Sequence, residues 1–237
     1  VTAPARLPDG IHADGRVARF GESPATARRA MILIHGRGAT PESILGLVDE
    51  LPDDLGFTFV APGASDSTSH PRSWYPRSFL APVADNEPGL SSAITKIDAA
   101  VAELRGVAPS DIMLLGFSQG ACLALEYVAR RARRWGGVVA LTGGLIGERV
   151  AVRDDVGSLA GTPVFLGCSD RDPHVPLERV NESEAVLRLM GAQVEKRIYP
   201  GLPHVIVQDE LDWVKGAMRR MAGRPQQDET VATAGRG

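Results

Sequence analysis

From residue 30 to residue 221 the chain alternates short unbroken apolar runs with longer stretches whose apolar residues recur every three or four positions. The unbroken runs fall at 30–34, 112–115, 137–141 and 163–167, further strands are read at 57–61 and 194–199, and the periodic stretches fall at 41–51, 90–104, 118–134, 177–190 and 208–221. A strand that is apolar at every position has both faces buried. Such strands, alternating with helices, predict an α/β fold: a doubly wound, mostly parallel sheet with helices on both faces. The chain has 237 residues, 43% of them hydrophobic, and shows no internal repeat. At that length folding buries about 70–75% of the unfolded surface, so the core needs no staples. A single domain is expected over 1–222, with 1–15 free to be flexible. Residues 223–237 have little to bury and are expected to form a disordered tail.

One segment breaks the alternation. Residues 62–89 carry Pro62, Pro71, Pro76, Pro82 and Pro88 and follow neither period. A connection of that length inside a compact domain is usually functional. Its centre, Arg72-Ser-Trp-Tyr-Pro-Arg-Ser-Phe-Leu80, gathers Trp74, Tyr75 and Phe79 in a chain with only 5% aromatics. It is read as lining a cleft, with Trp74, Tyr75, Phe79 and Leu80 as substrate-binding residues. Packing as a lid is the alternative.

Charge and cysteine usage exclude other classes. A net charge of −3 supplies no electrostatic footprint for nucleic acid. No apolar run approaches the ~18 residues of a membrane span, and residues 1–20 contain no signal-peptide h-region. Cys122 and Cys168 form neither a disulfide framework nor a metal spacing, and are read as buried small hydrophobes in a cytoplasmic protein. Arg130, Arg131, Arg133 and Arg134 end an apolar helical stretch, where positive charge complements the helix dipole.

The chemistry concentrates in Leu114-Leu-Gly-Phe-Ser-Gln-Gly120. A buried strand runs into Gly116-x-Ser118-x-Gly120 and directly into a helix. That turn is so sharp that only small residues fit two before and two after the serine, whose hydroxyl is left exposed above the sheet. The helix N-terminus behind it adds positive potential where an oxyanion would form. Ser118 is therefore the candidate nucleophile, and it requires a base.

Of five histidines, His12 lies in a polar N-terminal segment and His70 in the proline-rich loop, while His35 ends an early strand. His174 and His204 remain. The fold's order of nucleophile, acid, histidine places the acid after a later strand, and the strand at 163–167 ends in Ser169-Asp170-Arg-Asp172-Pro-His174. Asp172 lies 54 residues after Ser118, and His204 a further 32, each room for one or two strand–helix units. His174 is two residues from Asp172 on the same loop, too close to be an independently placed base, so His204 is preferred.

Four segments together resemble the phospholipase/carboxylesterase family of serine hydrolases: Ile34-His-Gly-Arg-Gly38, Gly116-Phe-Ser-Gln-Gly120, Asp172-Pro-His-Val-Pro176 and Pro200-Gly-Leu-Pro-His204. The resemblance covers about residues 30–221. It implies an α/β-hydrolase fold with little or no cap domain, acting on esters or thioesters without a cofactor or metal. It selects Asp172 over Asp170, since the family's acid immediately precedes an x-x-Val-Pro segment, and Trp74 sits where the family has a cleft tryptophan. The oxyanion hole is expected from the backbone N–H groups of Gln119 and Arg37, with His35 bracing the loop. Arg37 stands where better-known thioesterases carry an apolar residue. At the cleft mouth its side chain would favour a polar or anionic ester, or form a surface salt bridge.

The expected activity is a serine carboxylesterase working through an acyl-enzyme on a small-molecule ester, as monomer or homodimer. The alternatives are an acyl-protein thioesterase or lysophospholipase, a non-catalytic binding protein of the same fold, and a metal hydrolase using Asp172, His174 and His204.

Overall fold

The computed structural model describes residues 10–24, 26–66, 72–152 and 157–223. The tail expected over 223–237 lies outside them apart from Gly223, as do residues 1–9 and His70 of the proline-rich loop.

Each expected strand is present and one is added: β1 (Val17–Gly21), the addition, β2 (Arg29–Ile34), β3 (Phe57–Pro62), β4 (Ile112–Phe117), β5 (Gly137–Leu141), β6 (Pro163–Ser169) and β7 (Gln193–Tyr199). They form one sheet in the order β1-β3-β2-β4-β5-β6-β7. Every neighbouring pair is parallel except β1 with β3. β1 is an edge strand, exposed over Arg19 to Gly21, so it needs no apolar run and carries none. Arg19 anchors it through hydrogen bonds of 2.7–3.1 Å to Glu103.

Alternation along the strands splits the interior in two, because successive side chains point to opposite faces. Ile32 and Ile34, Leu114, Val138 and Ala140 enter one core; Met31 and Leu33, Met113 and Leu115, Val139 and Leu141 enter the other. Helices α1 (Pro41–Leu45) and α5 (Gln208–Met221) cover the second core; α2 (Gly89–Glu103), α3 (Gln119–Arg130) and α4 (Leu177–Leu189) cover the first. Each buried Leu, Ile, Val or Met contributes about 1.5–3 kcal/mol by leaving water. Among the described residues no cap domain is inserted.

Three expectations shift. The helix expected over 41–51 is α1 followed by a 3-10 turn, Gly46–Glu50. The helix expected over 118–134 stops at Arg130, because the chain must turn back to bury Trp135 and enter β5. Only Arg130 therefore sits in a last helical turn. Arg131 binds Asp98 at 2.7 and 3.1 Å, Arg133 lies 5.4 Å over the Trp135 ring, and Arg134 donates to the Gly161 carbonyl. Lastly, residues 10–15 are not a loose extension: His12 is buried, and the Gly10 carbonyl accepts from the Ala13 N–H at 2.9 Å.

Candidate active site

Ser118 sits between β4 and α3 with φ 56° and ψ −119°, a conformation that L-residues rarely adopt. Its neighbours explain how the turn is tolerated. A Cβ on Gly116 would lie 2.2 Å from the Gly120 carbonyl oxygen, and one on Gly120 2.0 Å from that of Ile34. The chain is thus forced through the turn, and α3 begins at the next residue, its first N–H groups without intrahelical acceptors.

His204 lies on the loop between β7 and α5, and its Nδ1–H donates to Asp172 Oδ2 at 2.7 Å. Asp172 follows β6 and its side chain is fully buried; its other oxygen accepts the N–H groups of His174 and Val175 at 2.8 and 2.9 Å. Both oxygens of this carboxylate are engaged, and its bond to Nδ1 leaves the lone pair on Nε2. The neighbouring Asp170 accepts the Gly201 N–H at 2.7 Å and so holds the loop that carries His204. The His204 ring packs 5.0 Å from Phe117 and edge-on to His174, also at 5.0 Å.

Ser118, His204, Arg37, Gln119, Tyr75 and Phe79 all line one cavity of about 750 Å³, together with Phe117, Cys122, His174 and Val175. Burial pushes the Cys122 thiol up to about 12, which keeps it protonated at neutral pH. Among the described residues no three His, Cys, Asp or Glu side chains converge as a metal site.

Two expected wall residues are elsewhere. Leu80 packs half-buried against the core. Trp74 is entirely buried behind the wall, not in it. Its indole N–H donates to the His35 carbonyl at 2.9 Å, its backbone N–H to Gln119 Oε1 at 3.0 Å, and its carbonyl accepts from His12 Nε2 at 2.9 Å. The imidazoles of His35 and His12 flank it with centroids at 4.9 and 5.5 Å. An indole in a dry site needs an acceptor, and here the acceptor is the loop after β2.

His35 does brace that loop: Nδ1–H donates to the Gly36 carbonyl at 2.7 Å, and Nε2 accepts the Ala64 N–H at 3.1 Å. Burial lowers the pKa of His35 and of His12, so both are held neutral. Among the described residues the Arg37 side chain pairs with no carboxylate; it donates to the carbonyls of Tyr75, Pro76 and Arg77 at 3.2, 3.2 and 2.8 Å.

Sequence reasoning missed three supports. The Gln119 side chain binds Trp74, Tyr75 and Ser73, and nothing in the pattern of residues announces that. Asp170, second to Asp172 as the acid, carries no sequence mark of its bond to Gly201. Arg179 had a signal: it shares the buried face of α4 with Val180, Ser183, Val186 and Leu187, an anomalous place for a charge. Its guanidinium donates to the carbonyls of Leu145, Gly147 and Glu148 and lies 5.9 Å over the Phe79 ring.

A parallel, doubly wound sheet with a strained serine on the strand-to-helix turn after β4 defines the α/β-hydrolase class. Residues 18–221 match the family model for Phospholipase/Carboxylesterase, and the chain belongs to that family. A phospholipase/carboxylesterase structure from Dyadobacter fermentans is 40% identical, covers 90% of this chain and 99% of its own, and superposes with a TM-score of 0.81. Acyl-protein thioesterase 1 of Gibberella zeae is 32% identical over 120 residues, 48% of this chain and 50% of its own. The chain thus spans about half the length of that curated relative. A rice (Oryza sativa subsp. japonica) protein named a probable inactive carboxylesterase is 26% identical over 83% of this chain and 89% of its own. Among the described residues no helix is long and apolar enough to cross a membrane.

Proposed function

We propose that this protein is a serine hydrolase that cleaves carboxylic esters through an acyl-enzyme. The observation that carries the reading is the hydrogen bond of buried Asp172 to His204, whose ring lines the same cavity as Ser118. Ser118 Oγ attacks the ester carbonyl carbon while His204 Nε2 takes the hydroxyl proton. The imidazolium that forms is stabilised by Asp172, which also fixes the tautomer. The carbonyl electrons move onto oxygen, where the N–H groups of Arg37 and Gln119 receive them; a donor of this kind is worth about 2.7–4 kcal/mol in the transition state. Collapse expels the alcohol, protonated by His204, and water repeats the sequence to release the acid. No cofactor enters this scheme.

Tyr75, Phe79, Phe117 and Val175 give the cavity apolar walls, which suits an apolar acyl group. The same groups would serve a thioester or a lysophospholipid, and the relative named an acyl-protein thioesterase favours keeping the thioester as the second reading. A non-catalytic protein of this fold is the reading to exclude, and the intact set Ser118, Asp172 and His204 argues against it.

The test is steady-state hydrolysis of an ester panel beside an acyl-CoA and a lysophospholipid. His204→Ala should lose roughly three to six orders of magnitude in kcat, because such groups act as a unit. His174→Ala should keep most of the activity, since its ring holds neither the acid nor the serine. The reverse order would make His174 the base. A preference for acyl-CoA over every oxygen ester would favour the thioesterase reading.

A further inference from the structure

The two residues whose backbone N–H groups would form the oxyanion hole use their side chains on one and the same loop. Arg37 donates to the carbonyls of Tyr75, Pro76 and Arg77, three in succession, with 2.8 Å to Arg77 the shortest. Gln119 Nε2 donates to the Tyr75 carbonyl at 2.9 Å, and Gln119 Oε1 accepts the Trp74 N–H at 3.0 Å. The Tyr75 carbonyl is therefore shared by both. Tyr75, Pro76 and Arg77 have no regular secondary structure, and all three line the cavity. Carbonyls in such a segment must find donors outside any ladder. A guanidinium presents its donors in a rigid planar fork, so contacts to three successive carbonyls restrict the loop's geometry.

We propose that Arg37 is a positioning and specificity-determining residue: its guanidinium clamps the 75–77 wall to the oxyanion loop, so the wall and the oxyanion donors move as one body. The proposal rests on the ester-hydrolase reading above. An acyl chain that reaches the wall is then held in register with the N–H groups of Arg37 and Gln119, whereas an acetyl group, too short to touch the wall, gains nothing from it. Releasing the clamp misplaces long acyl groups, and a misplacement of about 1 Å at a reacting carbon can cost roughly a hundredfold in rate. A lysine cannot replace it, because one ammonium does not span the three-carbonyl fork.

The experiment compares 4-nitrophenyl acetate with 4-nitrophenyl octanoate on the wild type, Arg37→Ala and Arg37→Lys. Thermal melts and hydrogen exchange over residues 72–80 are run on the same three proteins. In both variants the octanoate-to-acetate ratio of kcat/KM should fall roughly tenfold or more, with the loss in kcat for octanoate. Exchange over 72–80 should rise while the melting temperature stays within a few degrees of the wild type. Methylguanidinium added to Arg37→Ala should restore part of the octanoate rate. An unchanged ratio, full recovery in Arg37→Lys, or unchanged exchange over 72–80 would overturn the clamp. Should the wild type cleave neither ester, the ester-hydrolase reading fails, and the exchange data alone decide whether the clamp exists.

Discussion

Trp74 sits in a chain segment with no periodicity, and its aromatic neighbours suggested a wall over the substrate. Its hydrogen bonds give it another task, because it joins the carbonyl of His35, the side chain of Gln119 and the imidazole of His12 in a dry site. Trp74→Ala should therefore cost about 3–5 kcal/mol of stability and slow all esters alike, with an unchanged ratio between long and short acyl groups. Melting curves and a two-substrate comparison, with the core variant Leu115→Ala as reference, check this. A shifted ratio without a fall in melting temperature would return Trp74 to the cleft. Ser118 was legible in the sequence because a sharp turn dictates which residues flank it. The partners of Trp74 and Arg37 were not, since they are mostly backbone carbonyls, which every residue carries and no pattern marks.

At the scale of the element, apolar periodicity located every strand that is buried on both faces and missed β1, whose outer edge needs no apolar side chains. It also carried α3 too far, because the arginines beyond Arg130 look like helix-end residues while serving Asp98, Trp135 and Gly161. α5 hides a titrating group in its first turn. Glu210 is buried, and burial lifts its carboxyl to about 7, against the pull of the Val207 N–H that it accepts at 3.0 Å. The folded protein then binds this proton more tightly than the unfolded chain. The contribution to stability is complete below the ordinary carboxyl value and is lost as pH rises to about 7, on the order of 3 kcal/mol in all. His12 and His35, with lowered values, act oppositely and lose their contribution as pH falls below about 6.5. Glu210→Gln keeps an acceptor for Val207 and removes only the Glu210 part. The wild type minus variant stability should fall between pH 5 and pH 8 in urea titrations. A difference that is flat with pH would show that Glu210 is ionised throughout.

For the whole molecule, what matters is that β2, β3, β4, β6 and β7 run the same way. Their C-terminal ends share one edge of the sheet, where crevices in such folds bind ligands. The loop with Arg37 follows β2, Tyr75 and Phe79 follow β3, Ser118 follows β4, Asp172 follows β6 and His204 follows β7. Residues scattered from 37 to 204 thereby meet in one cavity. The central claim is that Ser118 is the nucleophile of that cavity, and covalent capture tests it without any assumption about the natural substrate. Wild type treated with a small alkyl fluorophosphonate should gain the mass of one phosphonyl group on the peptide containing Ser118, while Ser118→Ala, melting like the wild type, gains none. Labelling of Ser118→Ala at the wild-type rate, or none of the wild type, would contradict the account.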